Sequence, residues 1–218
     1  MVAYIPIGWY IYLTMNEQAA KNRRDKLIEA SSELIRCNGY GPTTVEQICS
    51  HAGVTKGAFF HYFKSKEELA VAALQAWDQA VTHLFTSADY QQIEDPCEKV
   101  CGFLAFSQRV FSDPNTVRSC LAGTTVQEVA HSNEPIRRAA NACFEHCLAH
   151  LTELIAAAAA HRGIDIDAKA LSAMWTAAVQ GALILYKASG DESHITNCLQ
   201  QARLHIERQL SATESPPG

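Results

Sequence analysis

Apolar residues recur every three to four positions along most of the chain, a spacing that predicts amphipathic helices one after another. From Glu17 to Asn38 the positions Leu27, Ala30, Ser31, Leu34 and Ile35 keep this spacing, and Asn38-Gly39 reads as a helix stop. Thr43-Thr44-Val45-Glu46 reads as a capping box, with the Thr43 hydroxyl accepting from the Glu46 backbone N–H, and opens a short helix to about His51. Ala52-Gly53-Val54 is a tight turn in which Gly53 can take a left-handed conformation, and Thr55 caps a third helix through Tyr62. Ser65-Lys66-Glu67-Glu68 repeats the capping-box pattern at the head of a long helix to about Phe85.

The punctuation continues. Asp95-Pro96-Cys97-Glu98 supplies an N-cap, a first-position proline and a first-turn acid for a helix to Phe111, and Asp113-Pro114-Asn115 breaks it. A helix over about 119–131 ends before Asn133-Glu134-Pro135, and a long one then runs to Arg162, closed by Gly163. Asp165 and Asp167 offer caps for a helix over 168–189, and Gly190-Asp191 leads into a last helix to about Leu210. The expected fold is all-α with about nine helices. Composition agrees: 11 Gly and 7 Pro are few for 218 residues, which disfavours a turn-rich β-sandwich. Two ends fall outside the pattern. Residues 1–15 are aromatic, uncharged and end at a second methionine, which reads as a non-conforming extension, and residues 212–218 read as a disordered tail. No apolar run reaches the roughly 18 residues of a membrane span, and the apolar start lacks a signal peptide's basic flank. A cytoplasmic protein whose 8 cysteines remain thiols is therefore expected.

The net charge of −5 is unevenly distributed. Residues 16–66 carry a net +3, whereas everything from 67 onward carries a net −8. A basic lobe on an acidic body suits a polyanion bound at one end. Within that lobe, two short helices joined by Ala-Gly-Val, the second entered through Thr-Lys-Gly, have the layout of a helix-turn-helix. Ile48, Val54 and Phe59 are placed to fix the angle between the helices, with Cys49 small at their approach. Lys56 and Gly57 fall in the groove-facing first turn, where lysine can donate to guanine and glycine lets the backbone come close to the bases. Lys66 stands at the start of the fourth helix, beside an N-terminus that attracts phosphate. Phe59 and Phe63 read as core of the three-helix unit.

The stretch TTVEQICSHAGVTKGAFFHYFKSKEELAVAAL resembles, almost end to end, the DNA-binding domain of TetR-type transcriptional repressors. The resemblance covers about residues 22–75. It implies a homodimer with a DNA-binding domain over 16–66 and a ligand-binding and dimerisation domain over 67–211, bound to a palindromic operator and released by an inducer that moves helix four. It also implies DNA contacts at Thr44, Thr55, Lys56, Gly57, Phe60, His61, Tyr62 and Lys66. Phe60 stands where many members have a tyrosine that reaches phosphate, a bond a phenyl ring cannot make.

The body is less explicit. Trp175, Val179, Ala182 and Tyr186 in one helix, and Ile195, Leu199, Ala202 and Ile206 in the next, read either as core or, following the resemblance, as a bundle with the partner's helices. Trp77, Phe103, Phe106, Phe144 and Cys147 are candidate ligand-lining residues. Cys120, between Arg118 and Leu121 at a predicted helix start, reads either as a small buried residue or as a thiol sensor, and is carried with the ligand set. Cys143, His146, Cys147 and His150 share one helix face and could hold a metal, although core residues run alongside. A helical enzyme using those four residues or Cys120 is the alternative function. No nucleotide, hydrolase or metalloprotease motif supports it. The expectation is a non-enzyme without metal or cofactor.

Overall fold

A computed structural model describes residues 22–113 and 119–211; the expected extension, the expected tail and Arg118 lie outside the described residues. The described residues form nine α-helices and no strand. These are α1 (Arg23–Asn38), α2 (Val45–Ala52), α3 (Lys56–Tyr62), α4 (Lys66–Thr86), α5 (Pro96–Ser112), α6 (Leu121–Val129), α7 (Glu134–Arg162), α8 (Ala168–Ser189) and α9 (Ser193–Ser211), with a 3-10 turn at Asp89–Gln92.

The caps explain most boundaries. Asp95 and Asp167 accept from the backbone N–H groups of Glu98 and Ala170, both at 2.9 Å, and start α5 and α8 as expected. The α2 cap is displaced by one residue. Thr44, not Thr43, accepts from the Gln47 N–H at 3.2 Å, and Gln47 Oε1 accepts from the Thr44 N–H at 2.8 Å. Thr43 is buried and donates instead to the Gly39 carbonyl at 2.6 Å, so its hydroxyl closes the preceding loop. At α4, Ser65 Oγ accepts from the Glu68 N–H at 3.1 Å, but the Glu68 carboxylate reaches back to the Lys64 N–H, one residue before the cap.

The chain divides into two compact units. The first comprises the described residues to Leu84 together with Ser119–Glu145. Its core joins Leu27 and Ile35 of α1, Ile48 of α2, Phe59 of α3, Leu69 and Leu74 of α4, Leu121 of α6 and Ile136 of α7. Burial of each such side chain contributes about 1.5–3 kcal/mol relative to exposure.

The second unit comprises the described residues 85–113 and 146–211. Here α9 packs along α8 and against α5. Trp175, Val179 and Ala182 of α8, and Ile195, Leu199, Ala202 and Ile206 of α9, are buried inside the chain itself. The reading of these residues as the bundle surface for a partner is therefore corrected: their periodicity marks the seam between α8, α9 and α5. The large apolar side chains that α8 exposes are Ile184 and Leu185, both 46% accessible. By length and composition α8 is also apolar enough to cross a membrane, although no continuous apolar run of that length occurs within it.

An aromatic cluster also lies in this unit. Tyr90, Phe103, Phe106 and Phe85 meet at ring separations of 5.2–5.9 Å. The Tyr90 hydroxyl donates to the Phe85 carbonyl and lies 3.0 Å from His150 Nε2. Burial holds the His150 pKa below its ordinary value of 6.5, against the opposing effect of Glu153.

Candidate nucleic-acid interface

The α2–α3 junction is set by local rules. Gly53 takes the left-handed conformation at φ 63°, and the Val54 N–H donates back to the Cys49 carbonyl at 2.9 Å. Ile48, Cys49, Val54 and Phe59 are buried in the contact between the helices. Thr55 Oγ1 accepts from the Ala58 N–H at 3.2 Å and starts α3. With Phe59 and Phe63 turned inward, the opposite face of α3 presents Lys56, Gly57, Phe60 and His61 to solvent. Thr55 and Thr44 are exposed at the heads of α3 and α2, while Tyr62 is half-buried against the core and edge-on to His61. Phe60 is 59% exposed, the most accessible large apolar side chain among the described residues.

The two expected lysine contacts differ in their environments. Lys56 pairs with Glu46, and both side chains are more than half exposed. The hydrogen bond from Lys56 holds the Glu46 carboxyl below its ordinary range. So exposed a pair contributes little to stability and opens easily, leaving the ammonium able to turn to another anion. A Cβ added to Gly57 would meet nothing within 4 Å. Lys66, in contrast, is occupied. Its Nζ donates to the carbonyls of Tyr40 at 2.9 Å, Gly41 at 3.3 Å and Thr43 at 2.9 Å, and lies 4.2 Å from the centre of the Tyr40 ring. Three carbonyls match the three N–H donors of an ammonium.

Sequence reasoning did not find the partner on the other side of that loop. Glu128, on α6, accepts from the Tyr40 N–H at 2.8 Å and the Gly41 N–H at 2.7 Å. Gly39 adopts φ 96°, and a Cβ there would come within 2.5 Å of Glu128 Oε1. No motif marks Glu128, because its partners are 87 and 88 residues earlier.

The remaining candidates are dispersed. Trp77, Cys120 and Phe144 belong to the first unit, and Phe103, Phe106 and Cys147 to the second. Cys120 is the N-cap of α6, its sulfur accepting from the Gly123 N–H at 3.4 Å. Arg36 lies near it, a neighbour that the sequence did not suggest. Arg36 donates to the Ser119 carbonyl at 3.0 Å and lies over the Trp77 ring at 4.6 Å; burial lowers its pKa. No sequence motif marks the contact of Arg162 Nε with Cys97 Sγ at 3.1 Å. All eight cysteines are free thiols. Cys143 points its thiol at the Leu74 and Ala139 carbonyls and His150 meets Tyr90. Among the described residues no group of three or more His, Cys, Asp or Glu side chains is arranged to hold a metal.

Residues 27–73 match the family described as bacterial regulatory proteins, tetR family, and residues 96–201 match the C-terminal domain of LmrA/YxaF-like transcriptional regulators. The HTH-type transcriptional regulator LmrA of Bacillus subtilis is 23% identical over 180 residues, 81% of this chain and 94% of that protein. YxaF of the same organism is 30% identical over 115 residues, 52% of this chain and 60% of YxaF, so the match spans less than two thirds of that relative. The reduced form of Escherichia coli NemR shares the fold with a TM-score of 0.70 at 22% identity, covering 86% of this chain and 96% of that one. With a tetR-type match over the helix-turn-helix and a regulator match over the helical body, this chain belongs to the TetR family of transcriptional regulators.

Proposed function

We propose that the protein is a cytoplasmic repressor that binds a palindromic operator as a homodimer through residues 16–66 and is released by a small-molecule or thiol-reactive inducer acting on residues 67–211. The observation that carries this reading is the α3 surface: Lys56, Gly57, Phe60 and His61 are exposed together on a helix whose other face is anchored by Phe59. A helix presented this way fits the major groove, with Lys56 donating to base edges and Thr44, Thr55 and Tyr62 placed toward the backbone. Because Lys66 is held by three carbonyls, its role in this reading is to shape the α1–α2 loop, while the N-terminus of α4 offers the phosphate site. Ile184 and Leu185, exposed on α8 beside the open surface at Gly181, support pairing with a second copy there.

For the inducer, Phe103, Phe106 and Cys147, which belong together to the second unit, remain the candidate lining. A thiol-reactive signal would act at Cys120, the N-cap of α6, where an adduct would press on the start of that helix. NemR, whose reduced form shares this fold, is named as a repressor. The test is fluorescence anisotropy with DNA flanking the protein's own gene, as a salt series. Sequence-selective binding that weakens steeply with salt is expected, and its absence with all such fragments overturns the reading.

A further inference from the structure

The loop between α1 and α2 is held by two side chains of opposite charge from different helices. Glu128 of α6 takes the N–H groups of Tyr40 and Gly41, and Lys66 of α4 takes the carbonyls of Tyr40, Gly41 and Thr43. Five backbone groups of this short loop are satisfied by charged side chains, and such bonds are about twice as strong as neutral ones. The loop also admits the carboxylate by its composition. Gly39 has no Cβ, at a position where one would fall 2.5 Å from Glu128 Oε1, and its φ of 96° is one that other residues rarely adopt. Thr43 then ties the two ends of the loop through the Gly39 carbonyl. The next residue is Thr44, whose side chain starts α2.

Helix α6 grips the end of α1 at two points. At its head the Ser119 carbonyl receives Arg36, and near its tail Glu128 receives the loop. Between them Leu121, Ala122 and Thr125 are buried in the first unit's core.

From this geometry we propose that Glu128 is a positioning residue for DNA recognition: it touches no DNA, but fixes the loop that sets α2 and α3 in register. The proposal rests on the DNA-binding reading above. Without the carboxylate the Tyr40 and Gly41 amides turn to water and the loop samples other conformations. Apparent affinity then falls in proportion to the competent fraction.

Three proteins decide it: wild type, Glu128→Gln and Glu128→Ala. Glutamine keeps one acceptor oxygen but opposes an NH2 group to a backbone N–H, whereas alanine removes both bonds. Operator affinity should drop about tenfold for the alanine variant, as expected for about 1.4 kcal/mol of lost ordering, and by less for glutamine. The salt slope should not change, because no phosphate contact is lost. Amide hydrogen exchange at Tyr40 and Gly41 should accelerate in both variants at temperatures where melting is negligible. A merely structural Glu128 would lower the melting temperature while leaving affinity of the folded protein intact, and that result overturns the proposal. Should the alanine variant fold poorly, wild type decides it: operator binding should raise protection at Tyr40 and Gly41, and unchanged protection counts against it. Wild type that binds while both variants bind equally well sinks this inference alone; wild type that binds no DNA sinks the function as well.

Discussion

Lys56, Gly57 and Lys66 show how residues of similar sequence appeal take on different work. Lys56 pairs with an exposed glutamate, so Lys56→Ala should leave the unfolding free energy within about 0.5 kcal/mol of wild type. It should nevertheless weaken operator binding by about 1–3 kcal/mol and relax base preference, as read from binding to a set of single-base operator variants. Lys66→Ala should do the reverse. With three carbonyls left without their ammonium, about 1–3 kcal/mol of stability should be lost in urea unfolding, with little change in salt slope. A slope reduced by about one per subunit would instead make Lys66 a phosphate contact. Gly57→Ala separates folding from recognition most directly. The new methyl meets open space and favours helix, so the free protein should be as stable or more so, while affinity for DNA falls because the backbone can no longer come as close.

Among the elements, α2, the loop before it and α7 carry the next tests. The α2 cap belongs to Thr44, so Thr44→Ala should cost about 1 kcal/mol in unfolding free energy, by loss of a capping box. Thr43→Val addresses a different bond, the closure of the loop onto Gly39, and should act on loop exchange rates. In the second unit, His150 of α7 sits among Tyr90 and Phe103 with its pKa depressed by burial, so the folded state favours the neutral ring. The unfolded chain then binds more protons below about 6.5, and stability from this residue is present above that pH and lost as pH falls through it. Unfolding of wild type and His150→Gln at pH 7.5 and 5.5 should show the smaller pH dependence in the variant. Equal dependence would place the titration elsewhere.

For the whole molecule the open question is what covers the outer face of α8. Leu185→Glu changes a residue that is 46% exposed and should leave helicity intact by circular dichroism. If Ile184 and Leu185 lie in a dimer interface, light scattering should report a mass near 24 kDa for the variant and twice that for wild type. The thiol signal is likewise a property of the assembled protein. Cys37 is the exposed cysteine and will react regardless, so a Cys37→Ser background is needed. Limiting maleimide should then label Cys120 first and lower operator affinity, and labelling confined to other thiols would favour a non-covalent inducer.

The local grammar of the sequence by itself determined the helical order of this protein and the character of its DNA-reading end. Pro96, Gly53, Thr55, Asp167 and Gly190 act within one turn of their own position, and the α2–α3 motif lies within a few dozen consecutive residues, so short-range rules reach it. Where two adjacent hydroxyls competed for one cap, those rules missed by one, because Thr43 was claimed by the Gly39 carbonyl and Gln47 suited Thr44. Tertiary structure alone decided the use of each side chain with distant partners. Periodicity shows that Trp175 and Leu199 need an apolar neighbour but not whose, and packing along α8, α9 and α5 answered that within the chain. Lys66 read as a phosphate contact, and no motif marked Arg36 or Glu128. Their roles come from backbone groups dozens of residues away, brought within hydrogen-bond reach only once the first unit has folded.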